Sequence, residues 1–111
     1  IEKVNVLLRE LAAGIVGREL EFAEGILVTV TRVSTSGDLR YATIFVSVLG
    51  GVKDAEETVM TALARETAGI QRKLNRKLSM RPVPKIRFAI DRGEQHRERI
   101  EKLLAENEEK R

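Results

Sequence analysis

Cations are concentrated between residues 65 and 87, and this stretch is the part of the chain best suited to bind a ligand. It holds eight Lys or Arg residues against a single acidic residue, Glu66, whereas the whole chain of 111 residues has a formal net charge of only +3. The remainder of the chain is therefore net acidic. Concentrated positive charge on a packed scaffold is typical of a nucleic-acid surface, because it neutralises phosphates. The predicted RNA-binding residues are Arg65, Arg72, Lys73, Arg76, Lys77, Arg81, Lys85 and Arg87.

The centre of this basic stretch has the periodicity of an amphipathic helix. Ile70, Leu74 and Leu78 recur at every fourth residue, which places them on one side of a helix. Arg72 and Arg76 fall on the opposite side. We therefore predict that one side packs into a core and the other presents positive charge. The alternative is a solvated face that serves only solubility, but such a face usually mixes charges of both signs.

The residue types needed for catalysis are scarce. Cysteine is absent and His96 is the only histidine, which excludes zinc sites of the Cys/His type and a Cys–His nucleophile. The serines lack a local nucleophile motif. Asp38, Asp54 and Asp91 are better explained as a turn residue, a helix cap and a strand-end residue than as catalytic carboxylates. The sequence thus predicts a protein that is not an enzyme and has no cofactor or metal.

Length and composition indicate a single soluble domain. A chain of 111 residues has the size of one domain, and 42% apolar with 33% charged residues is typical of globular proteins. The absence of cysteine is compatible with a reducing cytosol. No apolar run is long enough to span a membrane, and the first residues show no secretory pattern. We expect a cytoplasmic monomer.

Hydrophobic patterning predicts the elements that must position the cations. The predicted order is a helix from Val4 to about Leu20, strands at residues 26–33 and 40–49, a helix at residues 55–67 that begins at Asp54, a third helix that ends before Pro82, and a strand at residues 86–90. A charged tail helix is expected to follow. The fold class is therefore α+β, with helices that cover one face of a three-stranded sheet. Residues 1–92 would form the binding domain and residues 93–111 the charged tail.

Gly69 interrupts the basic helical stretch and leaves two interpretations open. A glycine inside a helix costs about 1 kcal/mol relative to alanine. It is either a tolerated glycine within one helix or a kink whose backbone lies close to a partner.

Four segments together resemble the ribosome-binding factor A family. They are residues 27–33 (LVTVTRV), 38–44 (DLRYATI), 69–72 (GIQR) and 81–91 (RPVPKIRFAID), in the expected order. That family has a type II KH-like fold whose GxxG loop is replaced by an Ala-x-Gly kink between two helices. Here the kink residues are Thr67, Ala68 and Gly69, so the glycine matches and the first small residue is Thr.

The resemblance also implies a function. Members of that family bind the free small (30S) ribosomal subunit and assist its late maturation, including the processing of the 5′ end of 16S rRNA, notably in the cold. By resemblance, Gly69 corresponds to the kink and the RNA-facing candidates are Arg72, Arg76, Lys77, Arg81 and Lys85. The expected partners are the small subunit and its rRNA, with no membrane.

Two other functions are compatible with the residues. A generic KH-like module would bind short single-stranded RNA well, whereas a ribosome-binding factor should prefer the intact subunit. A protein-interaction domain would use Ile100, Leu103 and Leu104 of the tail, and its association would be insensitive to salt. The scarcity of aromatic residues favours recognition of backbone and shape over base stacking.

Overall fold

Two helices and three strands make up the described part of the protein. The computed structural model describes residues 1–50 and 53–93. The elements are α1 (Glu2–Glu19), β1 (Leu27–Thr35), β2 (Tyr41–Leu49), α2 (Ala55–Lys77) and β3 (Lys85–Ile90). The α+β class and the three-stranded sheet are as predicted. The predicted tail helix, with His96, Ile100, Leu103 and Leu104, lies outside the described residues.

The sheet has the order β1-β2-β3 and mixes both kinds of pairing. β1 and β2 form an antiparallel hairpin, and β2 and β3 pair in parallel. A parallel pair needs a long crossover connection, and α2 provides it. The predicted alternation in β2 is confirmed, because Ala42, Ile44 and Val46 are buried. In β3, Ile86 pairs with Ala42 and faces the same core.

A β-bulge in β1 changes which residues face the core. The pairing register shifts between Val30, opposite Val46, and Arg32, opposite Phe45. Thr31 is the extra residue, so Val33 is buried, whereas simple alternation from Val30 would point Arg32 inward.

The segment from Ala55 to Lys77 is one continuous helix, not the two predicted helices. Helical conformation continues through Thr67, Ala68 and Gly69, so the second and third predicted helices are one element. A bend within the continuous helix stays a prediction. The hydroxyl of Thr67 donates a hydrogen bond to the carbonyl oxygen of Leu63 at 2.8 Å, a bond that often accompanies a helix bend.

The predicted hydrogen bond from the first amides of α2 to the Asp54 side chain is also wrong. Asp54 occupies the N-cap position of α2, but its side chain makes no capping hydrogen bond. Its backbone has φ 70°, in the left-handed region, whereas a residue whose side chain caps a helix typically has an extended backbone. The carboxylates of Glu56 and Glu57 still place negative charge in the first turn, where the helix dipole favours it.

Both helices pack on the same face of the sheet. The core contains Leu8, Ala12, Ile15 and Val16 from α1. From α2 and its C-cap it contains Val59, Leu63, Ile70, Leu74 and Leu78. The opposite face of the sheet is covered by no other element of the described chain. Within residues 1–50 and 53–93, the two faces of the sheet therefore differ: helices cover one face and leave the other uncovered.

Candidate nucleic-acid interface

The exposed surface of α2 carries four cations that form no ion pair with any described residue. Ile70 and Leu74 are buried, whereas Arg65, Arg72, Arg76 and Lys77 are exposed, as the helical periodicity predicted. We call these four cations the α2 basic face. Within residues 1–50 and 53–93, no carboxylate lies within ion-pair distance of any of the four. Long cationic side chains without internal partners can reach the phosphates of a ligand.

Arg72 lies next to the glycine of the predicted kink. A Cβ atom placed on Gly69 would meet the Nη2 atom of Arg72 at 3.7 Å, an ordinary contact distance. The guanidinium group therefore lies over the bare backbone of Gly69. This arrangement puts a positive charge beside a half-buried glycine of the helix.

Lys73 differs from its neighbours because it binds another part of the protein. Its Nζ atom lies 2.5 Å from Oε2 of Glu19, at the end of α1. The hydrogen bond from Lys73 lowers the pKa of the Glu19 carboxyl from its ordinary value, and the charges of Lys73, Lys77 and Arg18 lower it further. Lys73 thus joins the two helices, and its charge is partly neutralised before any ligand arrives.

Arg81 is folded back onto the end of α2. Its guanidinium group donates hydrogen bonds to the carbonyl oxygens of Leu78 at 2.6 Å, Met80 at 2.7 Å and Asn75 at 3.0 Å. The last carbonyl groups of a helix lack helical partners, and a cation is favourable beside them. Arg81, predicted to face RNA, therefore has a structural role at the helix terminus.

Gln71 fixes the basic helix to the sheet, a role that the sequence did not reveal. Its Oε1 atom accepts a hydrogen bond from the backbone amide of Ile86 at 2.9 Å. Its Nε2 atom donates to the carbonyl oxygen of Pro84 at 3.0 Å. The side chain thereby pairs backbone groups at the start of β3. The only signal available was its position within the GIQR segment, beside Arg72.

Lys85 and Arg87 lie on a different side of the molecule from the α2 basic face. They alternate with buried Ile86, so they point away from the helices, onto the bare face of the sheet. Nε of Arg87 donates a hydrogen bond to Oγ1 of Thr43 at 3.0 Å. The structure therefore divides the eight predicted cations between two faces. The α2 side holds Arg65, Arg72, Lys73, Arg76 and Lys77, the helix end holds Arg81, and the sheet holds Lys85 and Arg87.

Two carboxylates of the described chain, those of Asp38 and Asp91, accept hydrogen bonds within the fold. Asp38 accepts hydrogen bonds from the hydroxyl of Ser36 and the amide of Arg40 within the β1–β2 turn, and these bonds lower the pKa of its carboxyl. Asp91 accepts from the Thr31 hydroxyl at 2.6 Å at the end of β3. In the described ranges, no group of three His, Cys, Asp or Glu side chains could hold a metal ion.

Neither of the two helices within residues 1–50 and 53–93 combines the length and apolar character that crossing a bilayer requires.

Comparison with known proteins gives one consistent result. The family model described as Ribosome-binding factor A matches residues 1–104. A relative named ribosome-binding factor A from Natranaerobius thermophilus is 37% identical over 103 residues, which cover 93% of this chain and 78% of the relative. One from Thermomicrobium roseum is 36% identical over 104 residues, with 94% and 80% covered.

Solved structures show the same fold. The crystal structure of ribosome-binding factor A from Thermus thermophilus superimposes with a TM-score of 0.71 at 25% identity and covers 84% of this chain and 97% of its own. A homology model of ribosome binding factor A from the same species, fitted into a cryo-EM map of a 30S–RbfA complex, superimposes with a TM-score of 0.65 at 24% identity. The match covers 78% of this chain and 90% of that one.

Proposed function

Because this chain belongs to the ribosome-binding factor A family, we propose that it binds the free small (30S) ribosomal subunit through rRNA and assists late maturation of that subunit. The proposal includes assistance in processing the 5′ end of 16S rRNA. It is supported by a Thermus thermophilus relative that was fitted into a map of a 30S–RbfA complex. The observation that carries it is the α2 basic face, four exposed cations on a helix whose opposite side is buried in the core.

The proposed contact uses phosphates more than bases. Arg65, Arg72 and Arg76 lie along the side of α2 opposite its buried stripe, and Lys77 lies toward α1. None of the four has an aromatic partner among the described residues. Arginine and lysine side chains of this kind position a protein on structured RNA without reading its sequence. Binding would hold an immature rRNA conformation until later steps displace the protein. This role requires no catalysis, no cofactor and no metal.

We extend the proposal to the helix around Gly69. The triplet Thr67-Ala68-Gly69 would bend α2, and the exposed backbone beside Arg72 would allow close approach of RNA. Residues 1–92 would form the RNA-binding domain, and residues 93–111 a separate charged segment. The protein would act as a cytoplasmic monomer.

A charge-matched comparison tests the α2 basic face. The test variant carries Arg72→Ala, Arg76→Ala and Lys77→Ala, and the control carries Lys3→Ala, Arg9→Ala and Lys53→Ala, which are exposed cations elsewhere. Binding to purified free small subunits is measured against salt concentration. Removing three phosphate contacts should reduce the log–log salt slope by about 2 to 3 and weaken binding, whereas the control should keep the parent slope. A folded test variant that binds like the parent would overturn the assignment of this surface.

The processing role is tested separately in cells. Cells that lack the protein should accumulate 16S rRNA precursors with an unprocessed 5′ end, most strongly at low temperature. Primer extension across that end measures the precursor fraction, and complementation with the triple α2 variant should fail. Normal 5′ ends in cells without the protein would remove the processing role and leave subunit binding intact.

A further inference from the structure

The bare face of the sheet contains an aromatic side chain in a basic and polar setting. Tyr41 is 60% exposed although it lies within β2, and its strand partner in the parallel pairing is Lys85. Thr43, two residues further along the same face, is the strand partner of Arg87. We call Tyr41, Thr43, Lys85 and Arg87 the open sheet face. They border a groove that is also lined by Ser34, Thr35, Ser36 and Ile86.

From this geometry we propose that the open sheet face is a second RNA-binding site, which takes a single-stranded segment and stacks one base on the ring of Tyr41. The proposal rests on the proposed function only in that RNA is the ligand. It adds a site on the side of the domain opposite to the helices. It also adds base stacking, which the α2 basic face does not offer.

Charge and shape at this face favour a nucleic acid over an apolar partner. The residues that line the groove include two cations, Lys85 and Arg87, and no carboxylate. Asp38, in the adjacent turn, accepts a hydrogen bond from the groove residue Ser36 and pairs with Arg40 at 3.9 Å. An exposed ring flanked by cations and hydroxyl groups matches the needs of a single strand, whose bases stack while phosphates bind cations.

The ring of Tyr41 is carried by a well-fixed backbone. The amide of Tyr41 donates to the hydroxyl of Ser36 at 3.0 Å, and the amide of Ser36 donates to the carbonyl oxygen of Tyr41 at 2.8 Å. The amide of Lys85 donates to the carbonyl oxygen of Arg40 at 2.8 Å, which ties the start of β3 to β2. Arg87 is oriented by its hydrogen bond to Thr43. A stacking platform fixed in advance loses little entropy when a base binds.

The amino-acid composition supplies a direct readout. Tyr41 is the only tyrosine of the chain, and tryptophan is absent, so tyrosine fluorescence reports on this side chain alone. A single-stranded RNA of about ten nucleotides, with mixed sequence, is titrated into the full chain while tyrosine emission and the anisotropy of a labelled RNA are followed. Stacking predicts saturable quenching of tyrosine emission with the same midpoint as the anisotropy change.

Four variants make the test specific. Tyr41→Phe should keep the affinity within about twofold, whereas Tyr41→Ala should lose roughly tenfold or more, because only the second removes the ring. Lys85→Ala with Arg87→Ala should lower the log–log salt slope by about 1 to 2. Thr29→Ala, at an exposed position elsewhere on β1, should change nothing.

The outcomes separate this proposal from the proposed function. Quenching that persists in the Arg72→Ala, Arg76→Ala, Lys77→Ala variant supports a site independent of α2. RNA binding without quenching, or no binding of single-stranded RNA, overturns the open sheet face as an RNA site, while subunit binding through α2 can still stand. If Tyr41→Ala binds the RNA normally but loses affinity for small subunits, the face contacts a ribosomal protein and the proposal is wrong.

Discussion

The α2 basic face and the sheet side of the molecule both carry cations, but the cations differ in what holds them. On α2, Arg65, Arg72 and Arg76 have no carboxylate partner among residues 1–50 and 53–93. On the sheet, the guanidinium carbon of Arg32 lies 3.6 Å from the centroid of the Phe45 ring, and Arg87 donates to Thr43. Cations without an internal partner suit the irregular phosphates of folded RNA, whereas oriented cations beside an aromatic ring suit one defined strand.

The difference follows from the secondary structure under each face. On a helix, long side chains point outward and diverge, so each cation samples a wide volume of solvent. On a sheet, side chains from neighbouring strands stand about 5 Å apart, so cations find cross-strand partners. The same residue types therefore have few internal partners on the helix and cross-strand partners on the sheet.

The largest effect is expected where both faces depend on one core residue. Leu74 is fully buried on α2, on the opposite side of the helix from the α2 basic face. Leu74→Ala should lower the free energy of unfolding by about 3 kcal/mol, because it removes apolar contacts and leaves a cavity. Urea denaturation measures this change. Below the transition, both RNA-binding activities should stay close to those of the parent, and selective loss of one activity would show that the faces are not carried by a common core.

A smaller effect is expected where α2 is fixed to β3. Gln71→Ala leaves the amide of Ile86 without its partner and should cost about 1 to 3 kcal/mol of stability. Asn75→Ala is the matched control, since the Asn75 side chain is exposed and pairs with the Gln71 side chain. The control should change stability by less than about 0.5 kcal/mol. Equal effects of the two substitutions would contradict the role assigned to Gln71.

Unlike the two preceding substitutions, Gly69→Ala should stabilise the protein. An alanine Cβ at this position would meet only Nη2 of Arg72, at 3.7 Å, so the helix gains propensity of about 0.5 to 1 kcal/mol without a clash. If the glycine serves close approach of RNA, the stabilised variant should nevertheless bind small subunits more weakly.

The matched control for that experiment is Gly14→Ala in α1. A Cβ there would also meet an arginine guanidinium at 3.7 Å, that of Arg18. The Gly14→Ala variant should show a similar gain in thermal stability and should bind small subunits as the parent does. Equal binding by the parent and both variants would show that Gly69 is merely tolerated and would remove the kink proposal.

The sequence predicted features that depend on periodicity. The buried positions of β2 follow from strict alternation of Ala42, Ile44 and Val46. The buried side of α2 follows from the spacing of Ile70 and Leu74. In both elements apolar residues recur at the period of the secondary structure, so the side predicted to be buried is the side that packs into the core.

Features that depend on contacts between distant residues could not be predicted in this way. The bulge at Thr31 is defined by pairing with β2, and Arg81 turns back because free carbonyl groups lie at the end of α2. A count of charge along residues 65–87 cannot show that the first cations lie on a helix on one side of the sheet, whereas the last two lie on the other face of the sheet. The alternation of Lys85 and Arg87 with Ile86 indicates that the two cations lie on the opposite face of the strand from Ile86. Only the packing of α2 on the Ile86 face shows that the two cations lie away from the helices.

The smallest effect concerns Lys73, the cation of α2 that forms an ion pair with Glu19. The hydrogen bond from Lys73 lowers the pKa of Glu19 below its ordinary value of 4.5 in the folded protein. The associated stabilisation is therefore present above that pH and lost as the pH falls through the lowered pKa of the folded state. Glu19→Gln should be slightly less stable than the parent near neutral pH, and urea denaturation should show the difference vanishing in acid.

The ion pair between Lys73 and Glu19 also allows a comparison between a cation that has an internal partner and one, Arg76, that has none among the described residues. Lys73→Ala should reduce the salt slope of subunit binding less than Arg76→Ala does, because the charge of Lys73 is already partly neutralised by Glu19. In a Glu19→Gln background the ammonium group is released, and Lys73→Ala should then cost as much as Arg76→Ala. Identical slopes for the two single variants in the parent background would mean that RNA displaces Glu19, and that a cation held by a surface ion pair is as available to phosphates as a free one.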